Sequence, residues 1–225
     1  MFTCLLLTIG IGYLFAVAFL YLVEIEPHSK DDHGVVGAVI EKYYGRRGET
    51  RLGAALKGSM GDTVTAAEKE QIFQWIEGGA QEAEYPKVEG IFQNSCAICH
   101  SAEGGMPTAL MTTYEEVVAY TAVDMGQSVK TLVGVSHVHL FGMSFIFFLT
   151  GLIFAMSEID ARWRTILIAT PFIAIWVDIG SWWFTKMKPV FAYTVIIGGI
   201  LMGVALLLQI LISLWEMWLK RTDTR

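Results

Sequence analysis

Long uncharged runs frame one long polar stretch. Phe2–Val23 is 22 residues without Asp, Glu, Lys or Arg; Thr131–Ser157 and Pro189–Trp215 are 27 each. Between Thr165 and Lys186 the one charge is Asp178. A helix crosses the hydrocarbon core with about 20 apolar residues. The pattern therefore predicts four transmembrane helices, the second beginning near Val138. Ala16-Val17-Ala18 has the look of a signal-peptide cleavage site. The apolar run continues to Val23, however, and no Lys or Arg precedes it, so the segment reads as an uncleaved anchor.

The polar stretch, residues 24–136, reads as short helices. Thr65-Ala66-Ala67-Glu68 is a capping box, in which hydroxyl and carboxylate satisfy free amides at a helix start. The helix it opens shows Ile72, Trp75 and Ile76 on one face and stops at Gly78-Gly79. A second helix is expected after Pro86, with Val88, Ile91, Phe92, Cys96 and Cys99 on about one face. Thr113-Tyr114-Glu115-Glu116 caps a third, expected to end near Gly126. Strand-like alternation is nowhere sustained. The fold predicted is all-α: a four-helix transmembrane bundle with a small helical domain inserted between the first and second spans. The boundaries are 1–23 for the first span, 24–136 for the domain, 137–219 for three spans and 220–225 for a tail.

Charge gives this frame an orientation. Residues 24–136 hold 17 Asp/Glu against nine Lys/Arg, whereas the rest of the chain holds five against seven. Arg162, Arg164, Lys220, Arg221 and Arg225 fall on one side of the membrane, the side that keeps Lys and Arg. This predicts termini on the inner, cytoplasmic side of a membrane and the acidic domain on its outer side; Lys186 and Lys188 run against the rule. A domain of net charge −8 suits a partner with a basic docking face. No phosphate loop, hydrolytic triad or basic patch for nucleic acid is present.

Two of the three cysteines stand in Cys96-Ala97-Ile98-Cys99-His100. Cys-x-x-Cys-His is the attachment sequence of c-type haem: both thiols bond the haem vinyl groups and the histidine ligates iron. A structural disulfide and half of a zinc site compete with it. Zinc needs two further ligands and the chain has no second cysteine pair. A bare disulfide leaves His100 unexplained. The motif predicts one covalent haem c, with His100 as proximal ligand.

The stretch WIEGGAQEAEYPKVEGIFQNSCAICHS resembles bacterial class I cytochrome c domains, which carry a Trp-Ile-x-x-Gly-Ala helix end beside the haem motif. The likeness covers about residues 50–135. It implies a membrane-anchored monohaem c-type cytochrome, but with inverted order, because Met60 and the helix ending at Trp75 precede the haem motif. The resemblance makes Met60 the first choice for distal iron ligand, since it stands where the family's distal methionine stands relative to that helix. Met106, flanked by Gly104-Gly105 and Pro107, is the rival; Met111 and Met125 stand behind it.

Four of the five histidines, His28, His33, His137 and His139, fall at one membrane surface. Either they form a metal, second-haem or quinol site, or they are interfacial residues bonded to backbone and headgroups. Asp178 lies about 9 Å below the same surface and is costly there. Either it forms a proton-accepting pair with His139 for a quinol, or it makes an ion pair with Lys186 or a hydrogen bond to a neighbouring helix. Gly199 and Gly203 make a GxxxG face on the fourth span. Cys4 is assigned to packing, and Pro171 is expected to kink the third span.

Electron transfer is the function this pattern predicts, as subunit or partner of a respiratory membrane complex. The alternatives are a quinone-linked enzyme that oxidises quinol at Asp178 and His139, and a haem-based sensor.

Overall fold

The computed structural model describes residues 1–26, 34–106 and 109–220. In chain order the helices are α1 (Phe2–Phe19, continued by a wide π-helical stretch to Ile25), α2 (Gly34–Tyr43), α3 (Arg51–Lys57), α4 (Ala66–Glu77), α5 (Glu89–Ile91), α6 (Tyr114–Val118), α7 (Val129–Phe154), α8 (Ala161–Met187) and α9 (Ala192–Trp218). No strand forms among the described residues; Thr50 and Val123 make one isolated antiparallel bridge. The chain divides into two compact units, Met1–Tyr44 with Gln127–Arg225, and Gly45–Gly126.

In the first unit four helices are long and apolar enough to cross a membrane: Phe2–Ile25, Val129–Phe154, Ala161–Met187 and Pro189–Trp218. The second span begins at Val129 rather than near Val138, because the Ser128 hydroxyl caps it, accepting from the Thr131 amide at 3.1 Å. Asp160 caps α8 in the same way, accepting from the Arg162 amide at 3.0 Å. Pro171 lies inside α8 without ending it.

Lipid is as apolar as leucine, so helices in a bilayer associate by close packing and hydrogen bonds rather than by escape from water. The glycines of α9 show where that packing is tightest. A Cβ on Gly203 would strike the Tyr13 hydroxyl of α1, and one on Gly198 would lie 2.9 Å from the Asp178 Cβ. Gly199 has nothing within 4 Å. The close approach therefore uses Gly198 and Gly203, not the Gly199–Gly203 pair expected from the motif. Cys4, expected to pack, is exposed on α1. At the other end of the bundle the Glu216 carboxylate accepts from the Glu158 amide at 3.1 Å, and Lys220 pairs with Glu158 at 2.6 Å.

The second unit is narrower than the polar stretch 24–136. α2 belongs with the spans: Tyr43 is buried and stacks on Trp182 with centroids 5.6 Å apart. Within 45–126 the core gathers Leu52, Leu56, Ile72, Trp75, Tyr85, Phe92, Met111 and Val117. Both capping boxes form: Thr65 with Glu68, and Thr113 with Glu116. The helix expected after Pro86 is broken instead into a 3-10 turn over Glu82–Lys87, the single α-turn of α5, and a π-turn over Phe92–Cys96. The helix expected to run to Gly126 ends at Val118 and tightens into a 3-10 turn to Thr121.

The two ends of this unit are clasped. Gly45 (φ +80°) and Gly126 (φ +67°) take the left-handed backbone that glycine adopts without strain, and a Cβ on Gly45 would strike the Gly126 amide. Asp124 accepts from the Arg46 amide with one carboxylate oxygen and from the Gly126 amide with the other, both at 2.9 Å.

Candidate functional site

Trp75, Tyr85, Phe92 and Tyr114 form one aromatic cluster, with Tyr85 stacked on Phe92 at 6.0 Å and Trp75 edge-on to Phe92 at 6.1 Å. This cluster joins α4 to the segment leading into Cys96. The Trp75 indole N–H donates to the Gln81 carbonyl at 3.1 Å, and the Tyr114 hydroxyl donates to the Ala80 carbonyl at 3.1 Å. Trp75 and Ala80, the ends of the Trp-Ile-x-x-Gly-Ala motif, are thereby tied to the turn at Gln81 and to α6.

From this support the chain turns once. The amides of Cys99 and His100 both donate to the Cys96 carbonyl, at 3.1 and 2.9 Å, which sets the two thiols one turn apart. Both cysteines are free, Cys96 half-buried and Cys99 exposed. Burial, and secondarily the Glu68 charge, pushes the Cys96 thiol above the usual cysteine range. Among the described residues no group of three or more His, Cys, Asp or Glu converges on a metal position.

His100 is fixed by a contact the sequence does not announce. Its Nδ1 lies 2.7 Å from the Ala109 carbonyl oxygen. A carbonyl only accepts, so Nδ1 carries a proton and donates; in the neutral ring the lone pair is then on Nε2. A backbone carbonyl on one ring nitrogen is the usual way a metal-ligating histidine is oriented. The return loop is tied back at two further points: the Met106 amide donates to the Cys99 carbonyl at 2.9 Å, and the Met111 amide to the His100 carbonyl at 2.8 Å. Gly104 is required there, since a Cβ would strike the Cys99 carbonyl.

The methionines separate by environment. Met111 is buried in the core, where packing uses its side chain. Met106 and Met125 are exposed at 46% and 43%. Met60 is half-buried in the turn between α3 and α4, its amide donating to the Ala55 carbonyl at 2.9 Å.

In the membrane unit Asp178 is buried on α8. The hydrogen-bonding side chain beside its carboxylate is Trp182, one turn on. Tyr43 stacks on one face of that indole, and the exposed His139 meets it nearly perpendicular, 5.3 Å between centroids. His139 and Asp178 thus meet through Trp182 rather than as a direct pair. Burial first, then the charges of Asp178 and Glu24, pushes the Tyr43 phenol far above its usual range, so it stays a neutral donor. His139 Nδ1 donates to the Val135 carbonyl at 2.9 Å, and His137 lies against Phe141 at 5.0 Å. His28 and His33 lie outside the described residues. Lys186, offered as the ion-pair partner of Asp178, donates to the Gln127 carbonyl at 2.6 Å.

Beside Gly198 a cleft of about 340 Å³ opens between α8 and α9, lined by Ala174, Val177, Thr194, Ile197, Gly198 and Leu201 among others.

Residues 114–224 match the family model Aq_1264_TM, described as a transmembrane helical domain. The matched stretch holds α6 to α9 with Asp178, His137 and His139, and begins after the Cys96–His100 motif. No curated protein and no solved structure matches the chain.

Proposed function

We propose that this membrane protein is a monohaem c-type cytochrome that carries single electrons at the periplasmic face of a bacterial inner membrane. The observation that carries the reading is the Nδ1 bond of His100 to Ala109. It presents an unprotonated Nε2 directly after two unlinked thiols held one turn apart, the donor set that covalent haem requires. Bound haem would supply a one-electron iron couple. The protein's share is to hold Cys96 and Cys99 for the thioether bonds, to aim His100 at the iron, and to bury one side of the macrocycle.

Met60 is the proposed distal ligand: it is half-buried on a turn, whereas Met111 is consumed by the core and Met106 faces solvent. The acidic unit is proposed to dock on a basic face of a redox partner, within or beside a respiratory membrane complex. Four spans are more than a tether needs, which supports that association.

The test is haem staining of the denatured full-length protein, purified from cells that mature c-type cytochromes. Stain is expected for the wild type, weakened for Cys96→Ala or Cys99→Ala, and abolished in the double variant. An unstained wild type overturns the reading. A reduced-minus-oxidised spectrum of Met60→Ala and Met106→Ala then identifies the distal ligand. Rapid CO binding by the reduced wild type would favour a sensor with an open iron position instead.

A further inference from the structure

Among the described residues Asp178 is the one Asp, Glu, Lys or Arg in the middle of a span, 7% exposed. A carboxylate at that depth opposes insertion into lipid, so its presence there calls for a function. No basic side chain among the described residues forms an ion pair with it. Packing does not call for it either, since the neighbouring element has given up a side chain to make room: Gly198 passes with its would-be Cβ 2.9 Å from that of Asp178. The same glycine lines the cleft between α8 and α9, together with Ala174 and Val177; Asp178 itself is not on the cleft wall but stands against Gly198 beside it. Val177, Ile197 and Leu201 on the cleft walls are about half exposed, so the cleft faces the apolar side of the bilayer. At about 340 Å³ it falls in the range of small-molecule sites. Toward the membrane surface the carboxylate is followed by an aromatic corner, with Trp182 between Tyr43 and His139.

We propose that Asp178, the Trp182–Tyr43–His139 corner and the adjoining cleft bind a membrane-dissolved quinone, headgroup at Asp178 and apolar tail along the cleft. The parts match the ligand. As a carboxylate, Asp178 accepts a hydrogen bond from the hydroxyl of the reduced ring; protonated, it donates to the carbonyl of the oxidised ring. One side chain thus serves both forms, and in a low dielectric the charge-assisted bond is the stronger. The indole supplies a rigid apolar wall, held in place by the Tyr43 stack. A phospholipid acyl chain would fit the cleft walls but has no use for a carboxylate. The inference goes beyond the haem reading and does not rest on it, because binding is read with no electron passed.

The experiment uses the full-length protein in lipid nanodiscs, titrated with a decyl-tailed quinol and followed by tryptophan fluorescence quenching. Saturable binding is expected. Asp178→Leu, which removes the hydrogen bond and inserts more readily in lipid, should weaken it about tenfold. Asp178→Asn keeps a hydrogen-bonding group and should lose less. A second measurement needs no variant: an azidoquinone photolabel should fall on α8 or α9 near Asp178 and Gly198, and excess unlabelled quinol should suppress it. Unsaturable partitioning, wild-type affinity in Asp178→Leu, or a label elsewhere or uncompeted would each overturn the proposal. A haemless protein that binds quinol would sink the proposed function and leave this site standing.

Discussion

At the scale of single residues, the chemistry of the Cys96–His100 turn depends on backbone atoms. Gly104 sits where a Cβ would strike the Cys99 carbonyl, in the loop that brings Ala109 to His100. On the proposed haem attachment, Gly104→Ala is expected to displace the backbone there and lower haem content per protein, measured by absorbance of the pyridine-treated sample, while helicity by circular dichroism is kept. Two carboxylates give the acidic unit a pH dependence. The Thr65 backbone amide, then the Thr65 hydroxyl, holds Glu68 below its usual pKa, and the Thr112 backbone amide first does the same for Glu116. A depressed folded pKa means stability fully present above the unfolded value of 4.5 and lost as pH falls toward the folded one. Unfolding midpoints should therefore drop below about pH 4.5, and Glu68→Gln with Glu116→Gln should flatten that slope. Thr65→Ala should cost about 1 kcal/mol at neutral pH. The capping boxes were legible from four-residue strings, because a cap involves only neighbours in the chain. The Ala109 bond was not, because any carbonyl brought to that point would serve and no side chain marks it.

At the scale of elements, the helix edges show which signals are local. Ser128 starts α7 by accepting from Thr131, a bond the apolar pattern cannot see, so the second span looked shorter than it is. The haem-type motif was expected on a regular helix, yet α5 is one turn and a π-turn carries Phe92 to Cys96. The aromatic cluster decides that path, since it demands Phe92 against Tyr85 and Trp75 at once. Among the spans, the glycines of α9 are not equivalent. Gly203→Leu should push α1 away at Tyr13 and lower the thermal midpoint in detergent. Gly199→Leu, with open space at its Cβ, should leave that midpoint within a degree or two. If the two variants behave alike, the assigned helix contact is wrong.

At the scale of the molecule, two units of opposite character share one chain. The membrane unit is held by close packing around α8 and α9; the inserted unit by a water-excluding core of Trp75, Phe92 and their neighbours. Residues 45–126 carry 12 acidic and six basic side chains, a net of −6 in a small volume. If the unit docks on a basic-faced redox partner as proposed, electron transfer to it should slow steeply as ionic strength rises, because the screening length falls from about 30 Å at 0.01 M to about 8 Å at 0.15 M. Stopped-flow rates against salt measure this directly; a flat profile would remove charge from the docking account.

What the sequence determined by itself was whatever depends on composition and near neighbours: four apolar spans, an acidic insertion, the capped helix starts, and the one-turn spacing of Cys96 and Cys99 before His100. Only the tertiary structure decided what depends on chain brought from afar. It gave α2 to the spans by stacking Tyr43 on Trp182. It joined Asp178 and His139 through that indole, and it turned the His100 ring with the carbonyl of Ala109. The division has one physical cause: periodicity and capping are written in adjacent residues, whereas a stack, a glycine contact or a ring orientation exists only once separate segments have packed.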